Sequence, residues 1–250
     1  MRENNEDSYL VREDGATTLL AVADGVGGEA GGEMASAAAT RALADGFFRV
    51  KGRPAADALA AAMRGANDAV LSTAGQAGAQ GAASTLVAAA VDGSSAVIGN
   101  LGDSRAYLVR NGEIRLITSD HSGDYQSSIT RFVGDPRGVQ PDVFVEALRP
   151  GDRLVLCSDG LTRHVEDPEI ASTIRRKDLE GAATALVDLA KSRGGEDNIT
   201  VVLYAARSPF ALAEARDGLV NFVLAILVAV VVGGAIAALI FASGAYPIAR

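Results

Sequence analysis

Short apolar runs separated by glycine-rich or polar turns dominate the middle of the chain, and they predict strands rather than long helices. The first run, residues 17–24 (TTLLAVAD), ends at the turn Gly25-Val26-Gly27-Gly28. Asn111-Gly112 separates two further runs and is typical of a two-residue hairpin. The predicted strands are residues 17–24, 84–91, 96–100, 105–109, 113–118, 143–147, 153–157 and 199–205.

Alanine-rich segments flank these strands and predict helices. The first two cover residues 33–48 and 54–74, with Pro54 at a favourable helix start, and residues 75–81 are expected to be flexible. Two more helices are predicted at residues 168–176 and 179–193. Because strands outnumber helices in the middle and the helices come in two antiparallel pairs, we predict an α+β fold with helices covering antiparallel sheets.

The last part of the chain has a different pattern. Residues 219–242 carry no charge and a single strongly polar side chain, Asn221. As a helix these 24 residues measure about 36 Å, against roughly 30 Å of hydrocarbon, so we predict a single-pass transmembrane helix rather than a buried core helix. Residues 207–218 are then a linker and residues 243–250 a short tail. The polar start of the chain argues against a signal peptide, and Arg207 and Arg216 favour a cytoplasmic catalytic domain at the cell membrane.

Composition and charge narrow the possible chemistry. With 250 residues and 48% hydrophobic content, the chain can bury one large core, so we expect one catalytic domain at residues 1–206. The net charge of −8 argues against binding to nucleic acid. Cys157 is the only cysteine and is expected to be buried, while His121 and His164, the only histidines, are interpreted as structural. A cysteine-rich zinc site is therefore excluded, and a zinc site of clustered histidines is disfavoured.

Five short acidic clusters lie beside the apolar runs or their turns. A single Asp-Gly pair is usually only a turn, but five that converge would form an oxygen-ligand site for Mg²⁺ or Mn²⁺. Two such ions can lower the pKa of a water between them toward neutrality, which permits hydrolysis of phosphate esters. The clusters are Glu6-Asp7, Asp24-Gly25, Gly102-Asp103, Asp159-Gly160 and Asp197-Asn198.

In this order the clusters resemble the successive motifs of the metal-dependent serine/threonine protein phosphatases of the 2C type, in particular the bacterial members. The resemblance covers residues 1–206 and implies a four-layer sandwich, with two stacked antiparallel β-sheets flanked by pairs of α-helices. The matching segments are Arg2-x-x-Asn5-Glu6-Asp7, Asp24-Gly25-x-Gly27-Gly28, Gly102-Asp103-Ser104-Arg105, Cys157-Ser158-Asp159-Gly160-Leu161 and Glu196-Asp197-Asn198-Ile199-Thr200.

The resemblance also implies a binuclear Mn²⁺ or Mg²⁺ centre at one end of the sandwich. Asp24 would bridge the two metals, and the Gly25 carbonyl would ligate one of them. Asp159 and Asp197 would complete the protein ligands of one metal, while Glu6 would bind through metal waters.

Three further roles follow from the resemblance. Asp7 would support the opposite metal or its waters, and Asp103 resembles an aspartate that helps to bind a third, weaker metal. Arg2 would contact the substrate phosphate, because a guanidinium fork matches phosphate oxygens. Asn198 is interpreted as satisfying the turn around Asp197 rather than acting chemically.

The sequence departs from the family pattern in three places. Val26 stands where eukaryotic members often have a histidine, a candidate general acid. Only residues 123–127 stand where bacterial relatives usually carry a longer flap, so we expect an open cleft and loose substrate selection. Family members also normally have a strand before the Arg2 motif, and we expect either an upstream start or a missing edge strand.

The function predicted from these observations is hydrolysis of phosphoserine and phosphothreonine on proteins, opposing a serine/threonine kinase. A catalytically weak phosphatase-like membrane regulator that binds phosphoproteins is the alternative, although the carboxylate set argues against it. A two-metal nuclease is disfavoured by the acidic charge and the lack of basic clusters.

Overall fold

The computed structural model describes residues 4–26, 31–50, 52–123 and 129–206. Two antiparallel sheets form the centre of this part of the chain. In the first sheet the strand order is β1-β2-β4-β5-β8, with the short β3 also paired to β2, and in the second it is β10-β9-β6-β7. The strands are β1 (Asp7–Asp14), β2 (Thr17–Val26), β3 (Ala83–Ser84), β4 (Leu86–Asp92), β5 (Ser95–Leu101), β6 (Arg105–Arg110), β7 (Glu113–Leu116), β8 (Asp142–Ala147), β9 (Arg153–Cys157) and β10 (Val201–Ala205).

Helices cover the outer faces of both sheets. Helices α1 (Gly31–Arg49) and α2 (Ala55–Ala77) pack against each other and on the first sheet. Helices α4 (Asp167–Arg176) and α5 (Leu179–Ser192) cover the second sheet, and the four-residue α3 (Asp159–Thr162) follows β9 directly. The layers are therefore helices, sheet, sheet, helices.

A buried apolar core lies at each of the three interfaces between these layers. The outer core beneath α1 and α2 is rich in alanine, and small side chains let the helix backbones come close: a Cβ on Gly46 would lie 3.3 Å from Ala62 Cα. The middle core between the sheets consists largely of aliphatic side chains such as Leu20, Ile98 and Leu154. Burial of this apolar surface on both faces of each sheet is the main force that stabilises the stack.

The predicted α+β fold with two antiparallel sheets and flanking helices is confirmed, but several predicted boundaries are wrong. Residues 7–14 form an edge strand that was not predicted, because the side chains of β1 are only partly buried and show no clear alternation. The predicted strand 84–91 is interrupted at Thr85. The stretch expected to be flexible continues as helix to Ala77, where Gly78 in the left-handed region (φ 70°) ends α2.

The predicted hairpin between β6 and β7 is confirmed: Asn111 (φ 53°) and Gly112 (φ 86°) both have positive φ, as a type I′ turn requires. None of the helices within the described ranges is long and apolar enough to cross a membrane. The predicted transmembrane helix, residues 219–242, lies outside those ranges, as do the linker and the tail.

Candidate metal centre

Five aspartates gather at one end of the two sheets. Asp7 and Asp24 face each other directly across β1 and β2. Asp159 begins α3 at the end of β9, and Asp197 lies just before β10, in the second sheet. The negative charges of Asp7, Asp159, Asp197 and Asp103 all act on Asp24, which therefore lies at the centre of the group.

The backbone of Asp24 is fixed by the strand break at Thr85. Its N–H donates to Thr85 Oγ1 (2.9 Å), and its carbonyl accepts from Thr85 N (2.8 Å) and Ser84 Oγ (3.0 Å). The next residue, Gly25, lies in close contact with two other segments, since a Cβ there would be 2.2 Å from Gly32 O and 2.7 Å from Glu6 O. Only glycine fits this position, which brings Glu6 and the start of α1 against the carboxylate group.

The residue before Asp159, Ser158, makes hydrogen bonds that join both sheets. The Ser158 hydroxyl donates to Asp7 Oδ2 (2.8 Å) and accepts from Thr200 N (2.9 Å), and Ser158 N donates to Thr200 O (3.1 Å). Ser158 thus connects β1 of the first sheet to the segment that leads into β10 of the second. A Cβ on Gly160 would lie 2.0 Å from Asn198 O, so the turn into α3 also depends on a glycine.

Asn198 fixes the start of the chain to the second sheet. Its Oδ1 accepts from Glu6 N (2.9 Å) and its Nδ2 donates to Asn4 O (3.1 Å), while its own N–H donates to Asp197 Oδ1 (3.0 Å). The interpretation of Asn198 as a local turn residue was therefore incomplete. Its side chain contacts residues that lie 192 and 194 positions earlier in the sequence. Neighbouring residues in the sequence give no indication of such distant contacts.

Asp103 follows a glycine that no other residue could replace without strain. Gly102 has a φ of +116°, and a Cβ there would lie 2.6 Å from Thr85 Cβ. Gly102 N donates to His121 Nδ1 (3.1 Å), and the other ring nitrogen of His121 is 3.0 Å from Asp142 Oδ2. Because Nδ1 accepts, the ring proton lies on Nε2 and is donated to Asp142. His121 is therefore a structural residue, and it fixes the loop that carries Asp103.

Burial and mutual repulsion raise the pKa of Asp7, Asp24, Asp103 and Asp159. Burial is the largest cause at Asp7, whose pKa rises to about 6 despite hydrogen bonds from Thr200 and Ser158, and Asp159 and Asp197 raise it further. Burial also raises the pKa of Asp103 to about 6, with a smaller contribution from Asp159. The pKa of Asp24 is raised well above its usual range, first by burial and then by Asp7. Such a group is stable in its charged form only beside cations.

Two buried carboxylate oxygens also indicate that the aspartates suit divalent metal ions. Asp7 Oδ1 and Asp159 Oδ1 are buried, and neither accepts a hydrogen bond in the described part of the chain. Buried carboxylate oxygens without partners are costly unless a cation contacts them. The donor set, carboxylates with nearby backbone carbonyls, is the one that Mg²⁺ and Mn²⁺ prefer.

Within residues 4–26, 31–50, 52–123 and 129–206, no three acidic, histidine or cysteine side chains have their donor atoms grouped as around one ion. Arg163 occupies two of the carboxylates, because it forms ion pairs with Asp159 Oδ2 and with Asp197 Oδ2 (3.3 Å). Metal binding by these two aspartates would therefore require their side chains to part from Arg163.

Arg163 was not anticipated from the sequence. It lies four residues after Asp159, and an arginine at such spacing usually forms an ordinary surface pair. Its contact with Asp197, 34 residues away, becomes visible only in the fold.

Some predicted site features lie outside the described residues, namely Arg2 and residues 124–127 of the short flap. Two residues that flank the flap segment pair with each other, Ser122 with Ile129. Val26 is 46% exposed. Cys157 is fully buried as predicted, and burial raises the pKa of its thiol to about 12, so it is not a reactive thiol at neutral pH.

Comparison with known proteins gives a consistent result. Residues 2–194 match the protein phosphatase 2C family. The serine/threonine phosphatase stp of Listeria monocytogenes is 34% identical over 228 residues, which cover 81% of this chain and 90% of that protein. The serine/threonine protein phosphatase PstP of Mycobacterium tuberculosis is 35% identical over 81% of this chain, and the chain spans only 42% of the length of PstP.

Among solved structures, the chain is similar to the catalytic domain of the serine/threonine protein phosphatase PstP in complex with two manganese ions. The TM-score is 0.74 at 34% identity, over 83% of this chain and 94% of that chain.

Proposed function

The chain belongs to the protein phosphatase 2C family, and from this premise we propose that it hydrolyses phosphoserine and phosphothreonine on proteins with Mn²⁺ or Mg²⁺ as cofactor. The observation that carries the proposal is the convergence of five aspartates at one end of the sheets. Burial raises the pKa of Asp7, Asp24 and Asp103, and one buried oxygen each of Asp7 and Asp159 accepts no hydrogen bond within the described residues, as suits cations. The family relatives named as serine/threonine phosphatases support the same activity.

Each carboxylate has a proposed place in the metal centre. Asp24 would contact both ions, the Gly25 carbonyl would ligate one, and Asp159 and Asp197 would complete the protein ligands of one ion. Glu6 would bind through metal waters, Asp7 would support the opposite ion or its waters, and Asp103 would belong to a third, weaker site. The charges of the other four aspartates all act on Asp24, which supports its role as the central ligand.

When bound, the divalent cations supply a water of lowered pKa and neutralise charge on the phosphoryl oxygens. Ser158 and Asn198 connect the two halves of the site, because Ser158 donates to Asp7 and Asn198 accepts from Glu6 N. Arg2 is proposed to bind the substrate phosphate. Since Val26 cannot donate a proton, protonation of the leaving group must come from solvent at the site.

Hydrolysis of p-nitrophenyl phosphate and of a phosphothreonine peptide tests this function. The full-length chain in a mild nonionic detergent would be assayed with Mn²⁺, with Mg²⁺ and with EDTA. Asp159→Asn is expected to lose at least about two orders of magnitude in metal-dependent kcat, since an electrostatic group that acts on the transition state is typically worth that much. Asp45→Asn, which removes an exposed carboxylate from the surface pair with Arg12, is the matched control and should retain activity.

Stoichiometric binding of the phosphopeptide by folded protein, without turnover in any metal, would contradict the proposal. It would favour the alternative, a phosphatase-like membrane regulator that binds phosphoproteins.

We further propose that the enzyme is a single-pass protein of the cell membrane with a cytoplasmic catalytic domain. The supporting observations are the uncharged residues 219–242 and the arginines at positions 207 and 216 before them. In this arrangement residues 1–206 form the catalytic domain, residues 207–218 the linker and residues 243–250 the tail. A tether of about twelve residues keeps the site near the membrane, so a membrane serine/threonine kinase is the proposed partner.

A further inference from the structure

The side chain of Arg163 contacts two of the five clustered aspartates at once. One guanidinium nitrogen pairs with Asp159 Oδ2 and the other lies 3.3 Å from Asp197 Oδ2. Both carboxylates are largely buried, with side-chain exposures of 13% and 12%. A delocalised cation with two donor directions is well suited to bridge two acceptors in this way.

The backbone of Arg163 is fixed, whereas its guanidinium has access to solvent. Arg163 N donates to Asp159 O (2.9 Å) at the end of α3, and neighbouring Leu161 is fully buried. The Arg163 side chain, in contrast, is 48% exposed. It can therefore rotate away from the carboxylates without any change in the fold.

The charge of Arg163 acts on more than its two direct partners. Asp24 and Asp103 also interact electrostatically with the guanidinium. Arg163 thus partly neutralises a group that would otherwise consist of buried, mutually repelling carboxylates. A divalent cation at the same place would have the same effect, but the two cations cannot share the same oxygens.

We propose that Arg163 is a built-in competitor of the metal: it occupies Asp159 and Asp197 until a divalent cation displaces it, and so sets the metal concentration at which the centre fills. This inference rests on the proposed assignment of Asp159 and Asp197 as metal ligands. Arg163 is on this view a positioning residue, which acts through the two aspartates rather than on the substrate.

The proposal has a characteristic signature. Without Arg163 the metal-free protein loses a compensating charge, so its melting temperature falls. The metal no longer has to displace a guanidinium, so its affinity rises. At saturating metal, the melting temperature returns to that of the wild type, because Arg163 is then not in contact with the aspartates.

The test compares full-length wild type, Arg163→Gln and Arg163→Lys in the same nonionic detergent. Free Mn²⁺ is measured by its EPR signal during titration, and thermal unfolding is followed in EDTA and at saturating Mn²⁺. We expect Arg163→Gln to bind Mn²⁺ roughly three- to tenfold more tightly, the range expected for loss of one or two partly exposed ion pairs. Arg163→Lys should lie between the two, because one ammonium cannot bridge both carboxylates as well.

Arg115→Gln is the matched control, since it removes an arginine–carboxylate pair of similar exposure between β7 and β8. It should leave the Mn²⁺ affinity unchanged. An unchanged or weakened Mn²⁺ affinity in Arg163→Gln would overturn the inference, as would a raised KM for phosphopeptide with no change in metal affinity, which would make Arg163 a substrate contact.

Failure of the metal assignment itself would look different. In that case wild type and Asp159→Asn would show the same Mn²⁺ titration, whatever the behaviour of Arg163→Gln.

Discussion

At the scale of single residues, the carboxylate group depends on polar side chains from distant parts of the chain: Ser158 donates to Asp7, and Thr85 accepts from Asp24 N. Asp7, Asp24, Asp103, Asp159 and Asp197 could be identified because each belongs to a short motif beside an apolar run. Ser158, Thr85 and Asn198 could not, because their partners lie far away in the sequence. Serine, threonine and asparagine are common in turns, so their presence alone does not indicate a contact between sheets.

The tightly packed glycine at position 160 gives a first prediction. Gly160→Ala should lower the free energy of unfolding by about 2–4 kcal/mol, because its Cβ would overlap Asn198 O at 2.0 Å and force the backbone apart. Gly65→Ala is the control: it lies in α2 with nothing within 4 Å, and should stabilise the protein by about 0.5–1 kcal/mol. Urea denaturation measures both, and equal effects of the two substitutions would contradict the steric argument.

A second prediction concerns the charge on Asp7. Its pKa is raised to about 6 in the folded protein, so the charged carboxyl destabilises the folded, metal-free protein. This destabilisation is absent below about pH 4, where the carboxyl is protonated in both the folded and the unfolded protein, and it is complete above about pH 7. Asp7→Asn should therefore stabilise the EDTA-treated protein by about 1–3 kcal/mol at pH 7.5. Near pH 4 the difference should vanish.

Thermal unfolding against pH in EDTA checks this, and a second series at saturating Mn²⁺ provides the control. There the wild type should gain more stability than Asp7→Asn, because the metal compensates a charge that the variant lacks. A pH-independent difference in EDTA would show that Asp7 affects stability through packing rather than charge.

At the scale of elements, strong patterns were read correctly and weak ones were not. Buried strands such as β2, β9 and β10 are continuous apolar runs and were predicted within two residues of their bounds. β1 was missed because an edge strand alternates poorly, and α3 because four residues carry no helical period. The missed elements carry Asp7 and Asp159, so hydrophobic periodicity alone did not locate the elements that present these two carboxylates.

The loop between β5 and β6 gives the prediction at this scale. His121→Ala should lower the free energy of unfolding by about 2–4 kcal/mol, since it removes one buried and one partly buried hydrogen bond and leaves Gly102 N–H without an acceptor. His164→Ala should cost less than about 1 kcal/mol, because His164 Nε2 has no partner within the described part of the chain. Chemical denaturation in EDTA compares them, and a larger loss for His164→Ala would refute the proposed anchoring.

At the scale of the whole molecule, the site lies where two separately built halves meet. Asp7 and Asp24 come from the first sheet, and Asp159 and Asp197 from the second. The middle core fixes the distance between these halves, so the packing of aliphatic side chains far from the site determines how the carboxylates face one another. This dependence could not be predicted from the motifs, because it requires the relative position of the sheets.

The last prediction extends this view to the C-terminal apolar segment, residues 219–242. If this segment anchors the enzyme, deletion of residues 217–250 should leave hydrolysis of p-nitrophenyl phosphate unchanged. The deletion should slow dephosphorylation of a phosphothreonine peptide attached to vesicle lipids by about tenfold or more, because a short tether raises the effective substrate concentration toward the mM range.

The measurement compares reconstituted full-length and truncated protein on the lipid-linked peptide and on the same peptide in solution. Val230→Arg places one charge at the centre of the apolar segment, where it raises the free energy of membrane insertion by about 2.5–3.5 kcal/mol. On the lipid-linked peptide this variant should have a rate between those of the full-length and the truncated protein, and on the soluble peptide its rate should be unchanged. Equal rates for all three proteins on the lipid-linked peptide would mean that the segment does not bring the active site to the membrane.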